Sequence, residues 1–199
     1  ITLTIAMTPA DFVMEGFYQG KRDGQTEWPG EGESSVSWQG KPLPYLPYAY
    51  RHPEYGRKIK EEAKRGKDMI ASLDIFRDSE AAHPIREEEY IKVERIKGKL
   101  LLIGAKDDVL WDTVKYIRRM EARLATREHT CEVESGIYEH ATHFVFPEGM
   151  VKTMLPVGGD LITRVFAAGR KYPQECKAAR VDIERRITGA INEWMREEK

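Results

Sequence analysis

The sequence predicts an α/β fold in which helices flank a mostly parallel sheet. Residues 100–103 are four consecutive apolar residues between a Lys-Gly-Lys turn and Gly104, which is typical of a strand buried on both faces. A helical period follows, and after it comes a strand-like segment that ends at Tyr138. Because strand-like and helical segments alternate, we expect the strands to lie parallel and the crossovers to be right-handed.

The first predicted strand covers residues 1–7 and ends before Pro9, because proline cannot continue a central ladder. The chain begins inside this strand. We therefore expect residues 1–199 to be the C-terminal portion of a single domain. An upstream N-terminal segment or a companion chain is expected to complete the sheet.

Residues 17–90 are predicted to be a long, lid-like excursion from the sheet. Turns and extended, polyproline-like chain are expected over residues 16–56, which are rich in Gly, Pro and aromatic residues, and a helical pattern covers residues 53–76. Two uses of the aromatic residues stay open, since they could line an apolar pocket or pin the loop to the domain. These residues are Trp28, Trp38, Tyr45, Tyr48 and Tyr50.

The second half of the chain predicts two helices and a strand. The first helix is expected from residue 112 or 113 to about 125, and the strand covers residues 131–138. A last helix is expected over residues 173–197. Its apolar stripe is expected to pack on the sheet rather than to line a cofactor site, and consists of Ile183, Ile187, Ile191 and Trp194.

Composition argues against several classes of function. The 32 basic and 33 acidic residues give a net charge of −1, so there is no basic excess for binding nucleic acid. No apolar run is long enough to span a membrane, and the first residues do not resemble a signal peptide. Cys131 and Cys176 lack metal-ligand spacing, so we expect free thiols, no metal, no cofactor and a cytoplasmic location.

Candidate catalytic residues follow the two strands of the second half. Asp107 and Asp108 come after the buried strand and His143 comes after the next one, so parallel strands would bring them to one edge of the sheet. A carboxylate beside an imidazole orients the ring and stabilises its charged form. Alternatively, the two aspartates only begin the following helix as a cap. The main competitor of His143 is His140; weaker candidates are His52, His83 and His129.

The nucleophile of such a site is not found in this sequence. Asp before His is the order of α/β-hydrolases, whose nucleophile lies in a Gly-x-Ser-x-Gly elbow earlier in the chain. No serine here has glycines two positions away on both sides, and neither cysteine lies in such an elbow. We therefore expect the nucleophile upstream of Ile1, and we expect this chain alone to be inactive.

Three segments resemble a known family. Residues 92–111 are similar to the acid-loop segment of the C-terminal domain shared by acyl-CoA thioesterases and bile acid-CoA:amino acid N-acyltransferase. Residues 35–45 resemble the Ser-x-Trp, Gly-x-Pro-Leu-Pro loop of its bacterial members. Residues 138–143 match the position of the family's catalytic histidine, with Thr142 where glycine is usual. Thr113 departs from a Pro-Ser pair that is common after the tryptophan.

The resemblance implies the C-terminal part of an α/β-hydrolase fold and acyl transfer through an acyl-enzyme. Asp108 would be the triad acid, His143 the general base, and Asp107 a neighbour that bonds the local backbone. Trp111 is expected to contact a small-molecule acyl thioester or ester substrate. Two alternatives stay open. One is a carboxylesterase or dienelactone-hydrolase-like enzyme that does not use CoA, and the other is a non-catalytic binding module of the same fold.

Overall fold

The computed structural model describes residues 2–16, 30, 32–49, 54–154 and 159–197. Ile1, Trp28, Tyr50, His52 and Pro53, which figure in the predictions above, lie outside this part of the chain. The strands of the described part are β1 (Leu3–Met7), β2 (Ser37–Trp38), β3 (Lys41–Pro42), β4 (Lys99–Ala105) and β5 (Glu132–Tyr138). Its α-helices are α1 (Glu54–Lys64), α2 (Leu73–Ala82), α3 (Thr113–Thr126), α4 (Glu148–Met154), α5 (Gly159–Thr163), α6 (Ala167–Lys171) and α7 (Pro173–Glu197).

A parallel sheet of order β1-β4-β5 carries the fold, which confirms the predicted α/β class. Leu3 lies beside Lys99 in the first pair, and Lys99 lies beside Glu132 in the second. The central strand β4 is buried from Leu100 to Ala105. All three strands run in the same direction, so the loops after them open at one edge of the sheet.

Helices cover both faces of β4, which explains its continuous apolar run. Leu101 and Ile103 face the cluster that contains Ile183 of α7. Leu100 and Leu102 face the opposite cluster, together with side chains of α3. Successive strand residues point to opposite faces, so an apolar layer on each side requires an apolar residue at every position.

The long excursion is more structured than predicted. The helical pattern over residues 53–76 corresponds to two helices, since α1 ends at Lys64 and α2 begins only at Leu73. Gly66 separates them with a φ of 76°, a left-handed conformation that a helix interior does not contain. Within the chain expected to be polyproline-like, β2 and β3 form a hairpin whose turn residues Gln39 and Gly40 both have positive φ.

A third apolar cluster attaches the described part of the excursion to the domain. It contains Phe12, Leu46, Tyr48, Phe76 and Tyr116, and Tyr48 meets Phe76 edge-on at 5.4 Å between ring centroids. Tyr48 therefore pins the loop. Trp38, in contrast, is 68% exposed and neither pins the loop nor lines a buried pocket.

The last helix has the predicted bounds, but only part of its predicted stripe is buried. Ile183 is fully buried and Ile187 packs against the same cluster, whereas Ile191 and Trp194 are more than a third exposed. The short helices α4, α5 and α6 before it were not predicted. None of the helices formed by the described residues is long and apolar enough to cross a bilayer.

Candidate active site

The loop that carries the candidate acid is closed by Thr113. The Thr113 hydroxyl accepts a hydrogen bond from the Ala105 amide at 3.2 Å and donates one to the Ala105 carbonyl at 3.1 Å. The end of β4 and the start of α3 are therefore joined by a fully buried side chain. Residues 106–112 form a short loop between these two fixed points.

Asp108 is 5% exposed in this loop and uses both of its carboxylate oxygens. Oδ1 accepts from the backbone amides of Leu110 at 2.9 Å and Trp111 at 3.4 Å. Oδ2 lies 2.9 Å from Nδ1 of His143. The alternative in which the aspartates merely cap the helix is wrong, because the cap of α3 is Asp112, which accepts from the Lys115 amide.

His143 lies in the loop after β5, which confirms that the two parallel strands bring it to Asp108. The buried Thr142 shapes this loop, since its hydroxyl accepts from the Phe144 amide at 3.2 Å. The His143 side chain is 14% exposed. A carboxylate beside Nδ1 favours the neutral tautomer with the proton on Nδ1 and the lone pair on Nε2, which is the tautomer that a general base needs.

The indole of Trp111 supports the imidazole from the side. Its ring centroid lies 4.3 Å from that of His143, with the two planes at 78°. Its Nε1 donates to the carbonyl of Thr8 at 2.9 Å, and Phe76 packs edge-on against the ring at 5.3 Å. Thr8 directly follows β1 and has a φ of 42°. Trp111 thus joins the ends of the three strands, and its contact with substrate stays a prediction.

A second Asp–His pair lies beside the first. Nδ1 of His140 is 3.1 Å from Oδ2 of Asp107, and the His140 ring stacks on Tyr172 with 3.7 Å between centroids. Asp107 was expected to bond the local backbone, but its hydrogen bond goes to His140, and Asp108 makes the backbone contacts instead. The sequence contains a signal for this second pair, because two adjacent aspartates and two histidines three residues apart can form two pairs between the same loops.

The remaining described histidines lie elsewhere. His83 pairs with the buried Glu89 at 2.9 Å, and Nδ1 of the exposed His129 contacts the carbonyl of Arg127 at 3.1 Å. No group of three metal-binding side chains forms among the residues that the structure describes.

Both cysteines are free and buried. Burial raises the pKa of Cys176 to about 11, which makes its thiol a poor nucleophile at neutral pH. Among the described serines and cysteines, none forms a hydrogen bond with His143.

The excursion contacts the acid loop directly. The amides of Ser72 and Leu73 donate to the carbonyl of Val109 at 2.9 and 3.0 Å, and the Ser72 hydroxyl donates to the carbonyl of Leu110 at 2.6 Å. A cleft of about 240 Å³ lies between α1, α2 and Val109. The start of α2 therefore fixes the backbone of the two residues that follow Asp108.

A comparison with protein families finds a match. The family model described as BAAT / acyl-CoA thioester hydrolase C terminal matches residues 43–150, more than half of the chain and a range that includes Asp108 and His143. Neither the curated proteins nor the solved structures give a match.

Proposed function

This chain belongs to the BAAT / acyl-CoA thioester hydrolase C-terminal family, and from that premise we propose that Asp108 and His143 are the acid and base of an acyl-transfer site. The observation that carries the proposal is the 2.9 Å contact between the buried Asp108 carboxylate and Nδ1 of His143. The substrate class is an acyl thioester or ester.

The reaction proceeds through an acyl-enzyme. His143 Nε2 takes the proton of a serine or cysteine nucleophile, which attacks the carbonyl carbon. The tetrahedral intermediate collapses, the bond to the leaving thiol or alcohol breaks, and His143 returns its proton to that group. Water, or an amine in a transferase, then attacks the acyl-enzyme with His143 again as the base, and release of the acyl product regenerates the nucleophile.

We place the nucleophile on a segment outside residues 1–199, upstream in the protein or on a companion chain. The sequence contains no nucleophile elbow, and no described serine or cysteine bonds His143. The outer edge of β1 is not paired with any strand of the described residues. A strand that ends in the nucleophile and pairs with this edge would reach the site from the β1 side.

The test is Asp108→Asn in the full-length protein, assayed with an acyl-CoA and with a short p-nitrophenyl ester. We expect kcat to fall by about 10³–10⁴-fold, because the amide no longer holds the productive tautomer of His143. The matched control is Asp112→Asn, four residues away, which keeps a good helix cap and should leave turnover unchanged.

The two substrates separate a thioesterase from an esterase that does not use CoA. Turnover of neither substrate by the unaltered protein would favour a binding module. An Asp108→Asn enzyme within tenfold of the unaltered one would remove Asp108 from the triad.

A further inference from the structure

The second pair connects the same two loops as the candidate catalytic pair. Asp107 and Asp108 are adjacent in the loop after β4, and their partners His140 and His143 lie three residues apart in the loop after β5. The two contacts differ in burial. The Asp108 and His143 side chains are 1% and 14% exposed, whereas those of Asp107 and His140 are each about one third exposed.

His140 has a further contact that belongs to neither loop. Its ring lies nearly parallel to that of Tyr172, at 15° between the planes. Tyr172 immediately precedes α7, the long helix that covers one face of the sheet. The imidazole is therefore held at one edge by a carboxylate and on one face by a tyrosine that directly precedes α7.

The loop after β5 is held at two points. Asp108 and Trp111 hold it at the His143 ring. The bond between Asp107 and His140, with a stacked ring beside it, holds the same loop three residues earlier. Small displacements of a catalytic group have large consequences, since a shift of about 1 Å can cost roughly a hundredfold in rate.

We propose that His140, held between Asp107 and Tyr172, is a positioning residue that fixes the loop after β5 and thereby keeps His143 on Asp108. Its effect on turnover rests on the proposed function, but its effect on the His143 ring does not. These three residues form a clamp on the loop. Without the clamp, Nδ1 of His143 leaves Asp108 for part of the time, and the imidazole then populates both neutral tautomers.

A third link between the two loops provides a matched control. Lys106 Nζ lies 2.5 Å from a carboxylate oxygen of Glu139, and both side chains are more than half exposed. Exposed pairs of long side chains are worth little and do not set an orientation. Lys106→Gln removes this pair while leaving the stacked ring and both Asp–His contacts in place.

The experiment measures the tautomer of His143 in the full-length protein by long-range ¹H–¹⁵N NMR, at a pH where the ring is neutral. The variants are His140→Ala, Tyr172→Leu, Tyr172→Phe and Lys106→Gln. We expect a single tautomer with the proton on Nδ1 in the unaltered protein, in Lys106→Gln and in Tyr172→Phe, which keeps a stacked ring. His140→Ala and Tyr172→Leu should show mixed or exchange-broadened tautomers.

Kinetics of the same variants in the full-length protein give the second measurement. We expect kcat to fall about 10–100-fold in His140→Ala and Tyr172→Leu, with KM within about twofold, because the clamp orients the base and does not hold substrate. A single Nδ1 tautomer in both variants would overturn the proposal, whatever the kinetics show. Mixed tautomers in a protein without hydrolase activity would support the clamp and reject the proposed function.

Discussion

The two oxygens of Asp108 serve different loops, which makes the residue hard to replace. Oδ1 accepts from backbone amides of its own loop, and Oδ2 accepts from the ring of His143. The backbone amides are donors, and Nδ1 is a donor in the tautomer that a general base needs. An asparagine has one accepting oxygen, so its NH₂ group would face a donor in either orientation. The expected loss of turnover in Asp108→Asn therefore has a local cause in hydrogen-bond polarity.

Cys176 gives a prediction about pH. Burial raises its pKa from 9.0 to about 11, so near pH 8 the native thiolate should be about a hundredfold scarcer than in the unfolded chain. We expect iodoacetamide to modify Cys176 at least that much more slowly in the native protein than in denaturant, measured by mass spectrometry. Labelling at the denatured rate would contradict this burial.

The raised pKa of Cys176 also makes the free energy of unfolding depend on pH. Because the pKa is raised in the folded state, the unfolded chain ionises first as the pH rises from about 9 to about 11. Cys176 therefore lowers the free energy of unfolding progressively across that range, and has no such effect below it.

The catalytic candidates could be predicted at the level of residues, and their partners only in part. The order of elements predicts that Asp107, Asp108 and His143 lie at one edge of the sheet, and the family resemblance singles out Asp108 and His143, whose side chains the structure brings together. The pairing of Asp107 with His140 depends on loop conformation, and a stacked tyrosine next to the distant α7 leaves no periodic signal. Sequence order places residues near a site but does not assign their hydrogen bonds.

Close packing of β4 against α3 makes Gly104 a sensitive position. A Cβ on Gly104 would lie 2.6 Å from Cδ1 of Ile117, which is fully buried and cannot move aside freely. We expect Gly104→Ala to lower the free energy of unfolding by about 1–3 kcal/mol, measured by chemical denaturation.

Gly189 in α7 is the matched control. A Cβ there meets no atom within 4 Å, so Gly189→Ala should raise the free energy of unfolding by about 0.5–1 kcal/mol through its better helix propensity. Equal effects of the two substitutions would show that the contact between β4 and α3 is not as tight as described.

Helices with a sustained apolar period could be predicted from the sequence. Helix ends and turns that depend on the backbone conformation of one residue could not. α3 and α7 have the expected bounds because their apolar spacing is sustained over several turns. The break between α1 and α2 depends on Gly66 in a left-handed conformation, which the helical pattern over residues 53–76 does not indicate. The hairpin of β2 and β3 depends in the same way on the positive φ of Gln39.

At the scale of the whole molecule, the sheet has an edge that affects solution behaviour. No strand of the described residues pairs with the outer side of β1. Trp194 donates a hydrogen bond to the hydroxyl of Thr2, just before this strand, and is 38% exposed. Unpaired strand edges associate readily. We expect a polypeptide of residues 1–199 to self-associate, measured by light scattering. A monodisperse monomer that melts cooperatively would contradict this expectation.

The indole of Trp111 bonds Thr8 across 103 positions of the chain, whereas His143 bonds Asp108 across 35. The entropy of closing a loop rises with the logarithm of its length, so the longer closure costs roughly 1 kcal/mol more. The strand–helix–strand unit from β4 to β5 can thus form its acid–base pair while β1 is still undocked. We therefore expect the acid–base pair to form before the first strand docks, whereas the Thr8 carbonyl can accept from the Trp111 indole only once β1 is in place.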